Sequence, residues 1–146
     1  MTDEHLDLPL DYEGMAGAGT MLGTKALQVF DETVSVVRTT LRFVEFYKHE
    51  SCGKCTPCRE GTWWLVQLLM AFERGEAQEG DVDKLLDICE NIGGRSFCAL
   101  ADGAVAAVRS AVNHFREEFE QGYHTPAREL FPYEKSAIFA KEGATR

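Results

Sequence analysis

The chain has 146 residues, of which 45% are hydrophobic, enough for one domain with a real core. Its 24 acidic against 15 basic side chains leave a formal charge of -9, a surface that would repel nucleic-acid phosphates and argues against nucleic-acid binding. No apolar run approaches the roughly 18 to 20 residues of a membrane span, and Met1-Thr2-Asp3-Glu4-His5 lacks the basic and apolar regions of a signal peptide, so a cytosolic chain is expected.

Met1 to Tyr12 is acidic, contains Pro9 and has no period, and reads as an extended lead-in. A glycine-rich stretch, Gly14 to Thr24, then leads into Ala26-Leu27-Gln28-Val29-Phe30, expected as a short strand. A dinucleotide-binding loop needs a strand before its glycines and a helix directly after them. Here the order is loop then strand, which favours a turn packed on a sheet from outside this chain.

Asp31 to Glu50 is the first long helix, with Asp31 or Thr33 as its cap and Val34, Val37, Leu41 and Val44 on one stripe. Phe43, Phe46 and Tyr47 are expected to widen that apolar face. Val and Thr lower helix propensity, but a run this long without a turn signal exceeds an ordinary strand. Gly53 and the pre-proline Thr56 end the helix.

The next stretch, Ser51-Cys52-Gly53-Lys54-Cys55-Thr56-Pro57-Cys58-Arg59-Glu60-Gly61, holds three of the five cysteines at even two-residue gaps. An odd number of thiols, three of them clustered, suits metal ligation better than a disulfide framework. Three thiolates so close fit three corners of a cubane iron-sulfur cluster, whose fourth iron needs a cysteine from elsewhere. Cys98 is the best candidate.

A second helix is expected from near Cys58 through Trp63, Trp64, Leu65, Leu68, Leu69 and Phe72 to Arg74, stopping at Gly75. Its positive N-terminal end would favour an anionic cluster, and Lys54 and Arg59 either add to that field or are solvated surface cations. Adjacent tryptophans cannot share one helix face, so one is expected inside and the other on the cluster or a partner. A short helix from Asp81 to Asn91 puts Cys89 on a buried stripe with Val82, Leu85 and Leu86, as a core thiol rather than a ligand.

Gly93-Gly94 stops that helix, and Ser96 is the expected cap of the last one. Phe97, Ala101, Ala104, Val105, Val108, Val112, Phe115 and Phe119 form its stripe up to Gly122, with Cys98 at its start. The tail from Tyr123 to Arg146, with Pro126 and Pro132, reads as an arm on a partner or as disorder. The expected fold is all-α: a small four-helix bundle over residues 32–122 with an iron-sulfur cluster at one end, a non-helical lead-in over 1–31 and a tail over 123–146.

Zinc is the main alternative chemistry, as a structural four-cysteine interaction domain, yet such sites usually pair their cysteines two and two rather than three and one. A bacterial ferredoxin pattern fails at Thr62, three residues beyond the third cysteine. A thiol oxidoreductase using Cys52 and Cys55 needs a βαβ context that this helical chain lacks. His49 and Glu50 read equally as a solvated helix end or a functional couple.

From His49 to Gly61, with Cys98-Ala99-Leu100-Ala101-Asp102-Gly103-Ala104 downstream, the chain resembles the NADH-oxidising flavoprotein subunit of respiratory complex I. The resemblance covers its 4Fe-4S domain, and Asp7 to Glu32 is similar to the end of the preceding β-grasp-like domain, so the lead-in would be a remnant of a β-rich domain. It implies that Cys52, Cys55, Cys58 and Cys98 bind one 4Fe-4S cluster, which takes single electrons from reduced FMN and passes them to clusters of a neighbouring subunit. The implied partners are a 2Fe-2S subunit, a multi-cluster subunit and an FMN- and NADH-binding domain, in a peripheral arm on the cytoplasmic face of the membrane. The family's larger N-terminal part, which carries FMN and NADH, has no counterpart in this sequence, so the chain alone is not expected to oxidise NADH. It reads as a fragment of that flavoprotein or a separately encoded cluster module. Flavoprotein subunits of NAD-dependent formate dehydrogenases and hydrogenases share the motif and remain alternative parents.

Overall fold

Four long helices carry the fold: α2 (Val36–Glu50), α3 (Thr56–Arg74), α4 (Asp81–Ile92) and α5 (Leu100–Gln121), preceded by a short helix, α1 (Tyr12–Gly17). They come from a computed structural model that describes residues 3–31 and 33–126. Glu32, and the part of the expected tail from residue 127 on, lie outside the described residues. The lead-in differs locally from expectation. Tyr12–Gly17 is helical, because Asp11 caps it by accepting from the Gly14 N–H at 2.7 Å, and Ala26 to Phe30 forms no strand.

The helix boundaries follow from local hydrogen bonds. α2 begins at Val36, not at Asp31 or Thr33, because Ser35 caps it: the hydroxyl accepts from the Arg38 N–H at 3.2 Å. Asp31 spends its carboxylate on Thr33 instead, accepting from the hydroxyl at 2.6 Å and the N–H at 3.0 Å, and these bonds hold its carboxyl below the usual range. Val34 therefore lies before the helix and is exposed, while Val37, Leu41 and Val44 are buried as the stripe requires. Phe43 and Phe46 do not widen the buried face; both are exposed.

Pro57 opens α3 in its first turn, where its missing N–H costs nothing. Gly75, at φ 72°, closes it, and the Gly75 and Glu76 N–H groups return to the Phe72 and Ala71 carbonyls. At the start of α4, the Asp81 carboxylate accepts from the Gln78 N–H at 2.7 Å and pairs with Lys84. Burial pulls the Asp81 carboxyl up, but these two partners outweigh it and hold it below its ordinary value. α5 starts at Leu100 with Ala99 as its cap, so Ser96 caps nothing and Phe97 stands exposed ahead of the helix. Its stripe is interrupted at Phe115, whose φ of -134° leaves the helical range and whose side chain is only half-buried.

The four helices close a ring in which α2 packs on α3, α3 on α4, α4 on α5 and α5 back on α2, with α3 also touching α5. Short connections make ring neighbours antiparallel, so the α2–α3 and α4–α5 connections fall at the same end. Leu41, Leu65, Leu69, Phe72, Leu85, Val108 and Phe119 fill the centre, with the Phe72 and Phe119 rings edge to face at 5.6 Å. Each such side chain stabilises the fold by about 1.5–3 kcal/mol relative to exposure. Glu118 on α5 ties down the start of α2, accepting from the Ser35 hydroxyl at 2.9 Å and the Val37 N–H at 3.2 Å. Among the described residues no helix is long and apolar enough to cross a membrane.

Gly61 marks the closest approach of α3 to α4. A Cβ there would sit 2.5 Å from Ile92 Cδ1 and would also strike its Cγ1. Alanine at this position gains about 1 kcal/mol of helix propensity but overpacks a filled interface, at a cost of about 1–3 kcal/mol. Gly61→Ala is therefore expected to lower stability by about 1 kcal/mol, read as a lower urea midpoint with an unchanged slope. A midpoint above wild type would show that α4 yields freely at Ile92.

Candidate metal centre

Cys52, Cys55 and Cys58 lie where α2 ends and α3 begins. Ser51 turns the chain out of α2, and Gly53, at φ 78°, reverses it in a conformation that favours glycine. Arg59 locks this turn: its guanidinium donates to the Gly53 carbonyl at 2.6 Å while pairing with Glu60 at 2.7 Å. It is thus a clamp for the cysteine loop rather than a free surface cation. Cys55 is the N-cap of α3, and Cys58, buried, sits in its first turn. Thr62 occupies the position a ferredoxin would give to cysteine, and its buried hydroxyl donates to the Cys58 carbonyl at 2.7 Å.

Cys98 is carried by the other connection at this end. Gly94, at φ 67°, turns the chain, and its N–H donates to the Asp102 carboxylate at 2.7 Å, closing the loop onto the first turn of α5. The Phe97 N–H then points at Cys55 Sγ, 3.5 Å away. The segment bearing Cys98 is therefore brought against the three-cysteine loop, with Cys52 and Cys98 exposed and Cys55 half-buried. Among the described residues, no three His, Cys, Asp or Glu side chains converge closely enough to hold a metal ion.

The surroundings suit a sulfur-rich anion. Cys58 Sγ lies 3.3 Å from the Ser51 hydroxyl, and the Ser96 hydroxyl, in the Cys98 loop, is buried with no hydrogen-bond partner. Neither α3 nor α5 has a side-chain cap at its N-terminus; the first turn of α3 also lacks an acidic residue, leaving its positive end free to face an anionic group, while Asp102 stands in the first turn of α5. Four thiols from two connections, one amide aimed at sulfur and one orphaned hydroxyl fit a 4Fe-4S group.

Cys89 belongs elsewhere, as its period suggested. It is fully buried in the core on α4, and burial pushes its thiol up to about 12, with Arg109 pulling only partly back. Trp63 and Trp64 depart from expectation, since neither packs inward and both are about half exposed. Residues 100° apart can both lie on the outward arc of a helix, and here they do. An open groove of about 340 Å³ beside the loop is lined by Lys48, Ser51, Gly53, Arg59, Glu60 and Trp63. His49 and Glu50 form an exposed pair, Nδ1 to Oε1 at 3.0 Å, at the end of α2. Sequence reasoning missed Asp102 and Ser51, whose roles depend on partners eight and seven residues away.

Residues 38–122 match the family model described as the NADH-ubiquinone oxidoreductase-F iron-sulfur binding region. The chain is 66% identical over 120 residues to the NADH-quinone oxidoreductase F subunit of Streptomyces coelicolor, covering 82% of this chain and 27% of that one. It is 46% identical over 127 residues to the protein of the same name in Escherichia coli, covering 86% and 28%. Among solved structures it is similar to NAD+-reducing [NiFe]-hydrogenase in the H2-reduced state, with a TM-score of 0.62, 30% identity and coverage of 74% of this chain and 21% of that one. The chain thus spans about a quarter of the length of the relatives it matches.

The burial of Cys89 has a chemical consequence. Raising its pKa from 9.0 to about 12 lowers its thiolate fraction on the order of a thousandfold at mildly alkaline pH. Folding therefore holds this proton more tightly than the unfolded chain does. The stability linked to it is complete below about pH 9 and falls as pH rises toward 12. Iodoacetamide should leave Cys89 unmodified in the native protein and label it rapidly in urea, as read by peptide mass mapping. Comparable labelling in both states would contradict its burial.

Proposed function

The chain belongs to the NADH-ubiquinone oxidoreductase-F iron-sulfur binding region family, and on that premise we propose that it relays electrons through one 4Fe-4S cluster held by Cys52, Cys55, Cys58 and Cys98. The observation that carries the ligand assignment is the approach of the Cys98 loop to the three-cysteine loop, through the Phe97 N–H and Cys55 Sγ. Four cysteines close the coordination of a cubane, so the group supplies one-electron transfer and no open position for substrate. The chain's own residues hold it: Arg59 and Asp102 fix the two loops, and the N-terminal end of α3 favours its negative charge.

In this reading reduced FMN is the donor and a cluster of a neighbouring subunit the acceptor, within an NADH:quinone oxidoreductase. FMN and NADH belong to the full-length flavoprotein, and this chain supplies neither site. The cluster domain spans residues 32–122. Its partners are an FMN- and NADH-binding domain, a 2Fe-2S subunit and a multi-cluster subunit, in a peripheral arm at the cytoplasmic face of the membrane. The exposed Trp63 and Trp64 are the surface on which an acceptor would dock. The likeness to a NAD+-reducing hydrogenase supports a second reading, as the equivalent module of such an enzyme. The higher identity to the NADH-quinone oxidoreductase relatives favours the first.

Cys98→Ser should lose or cripple the cluster, whereas Cys89→Ser should cost only core packing. Iron and acid-labile sulfide content with the EPR spectrum after reduction decides between them. Loss of iron from the Cys89 variant alone would overturn the ligand assignment. Because α3 and α5 both begin at the cluster, its binding energy is partly folding energy, and apoprotein should melt with much less cooperativity than the holo form. Equal melting would show that the helices pack without it. Finally, NADH should leave the purified chain oxidised while dithionite bleaches it, and bleaching by NADH without added flavoprotein would sink the division of labour.

A further inference from the structure

The Ser51 hydroxyl lies 3.3 Å from Cys58 Sγ, and the Gly53 N–H lies 3.3 Å from the same hydroxyl oxygen. A backbone N–H can only donate, so Ser51 Oγ accepts from Gly53 and its own proton is left for another acceptor. A metal-bound thiolate has no proton and can only accept. The hydrogen bond therefore runs from Ser51 to Cys58 whenever Cys58 is a ligand. Cys58 is also the most buried cysteine of the loop, so water competes weakly for its sulfur.

We propose that Ser51 sets the reduction potential of the cluster by donating a hydrogen bond to Cys58 Sγ, making the cluster easier to reduce. The inference rests on the assignment of Cys58 as a ligand. One electron, from reduced flavin or from dithionite in the test, is gained with no bond made or broken and no proton taken up. The added negative charge spreads onto the sulfurs, where a hydrogen bond to sulfur stabilises the reduced form more than the oxidised form. Ser51 acts through Cys58 and is a positioning and tuning residue. Its placement is tied to the fold, because it is the residue at which α2 ends and the cysteine loop begins.

The test uses the full chain assembled anaerobically with its cluster, as wild type, Ser51→Ala, Ser51→Thr and Cys58→Ser. Iron and sulfide content and an EPR-monitored redox titration are measured for each. Ser51→Ala should keep its cluster but take up the electron at lower potential. At the wild-type midpoint its reduced-to-oxidised ratio should fall by up to about tenfold, which is about 59 mV for a one-electron couple. Ser51→Thr, which keeps the hydroxyl, should titrate with the wild type. A fully loaded Ser51→Ala at the wild-type midpoint overturns the tuning role. Should Ser51→Ala fail to assemble, the wild type is read by resonance Raman in H2O and D2O: a deuterium-sensitive Fe–S stretch supports the bond, and its absence overturns it. A normal cluster in Cys58→Ser would instead overturn the ligand assignment, separating that failure from a failure of the tuning role.

Discussion

The contact between the Phe97 N–H and Cys55 Sγ, 3.5 Å long and spanning 42 residues of sequence, stands for the constraint that organises this chain. Two connections far apart in sequence must reach the same end of the bundle. A ring of four helices joined by short connections meets that demand, because its first and third connections share an end. The bundle is the frame, and what it frames is a pair of loops carrying thiols.

The helices next to those loops approach more closely than ordinary side chains allow. Gly61, in the turn after Cys58, lies under Ile92 at the end of α4, and Gly103, in the turn after Cys98, lies under Tyr47 near the end of α2. A Cβ on Gly103 would come within 2.8 Å of the Tyr47 hydroxyl. Each helix that begins at a cysteine loop thus uses a glycine to let the end of a neighbouring helix come close. The remainder of the interface is ordinary apolar packing, in which Ala101, Ala104 and Val105 are buried on α5.

Charge is distributed differently from what the net value of -9 suggests. At the cysteine loop the fixed positive character comes from the start of α3, which has neither a side-chain cap nor an acidic residue in its first turn, whereas Asp102 offsets the start of α5. Arg59 contributes less field than geometry, since Glu60 neutralises it and the Gly53 carbonyl holds it. Around the same end stand Phe97, with the Lys54 ammonium 6.0 Å from its ring centre, and the exposed indoles of α3. A member of this family that spans about a quarter of its relatives' length therefore presents apolar surface beside its cysteine loops.

The sequence by itself determined what depends on near neighbours along the chain. The 3.6-residue period marked Val37, Leu41, Leu65, Leu69, Leu85, Val108 and Phe119 as core, placed Cys89 among them, and separated four long helices at Gly53, Gly75 and Gly93. The two-residue spacing of Cys52, Cys55 and Cys58 pointed to a metal or cluster site, because three thiols so close together suit three corners of one group. Tertiary structure decided what depends on competition between partners. Asp31 and Ser35 are both good caps, and Ser35 prevails where Glu118, 83 residues on, accepts from its hydroxyl. Both tryptophans face outward because α2, α4 and α5 cover only the opposite side of α3. Asp102 clamps the Cys98 loop only because Gly94 folds the chain back across eight residues. A period records which face of a helix is apolar; it carries no information about which partner, among several able to form the same hydrogen bond, the folded chain brings within 3 Å.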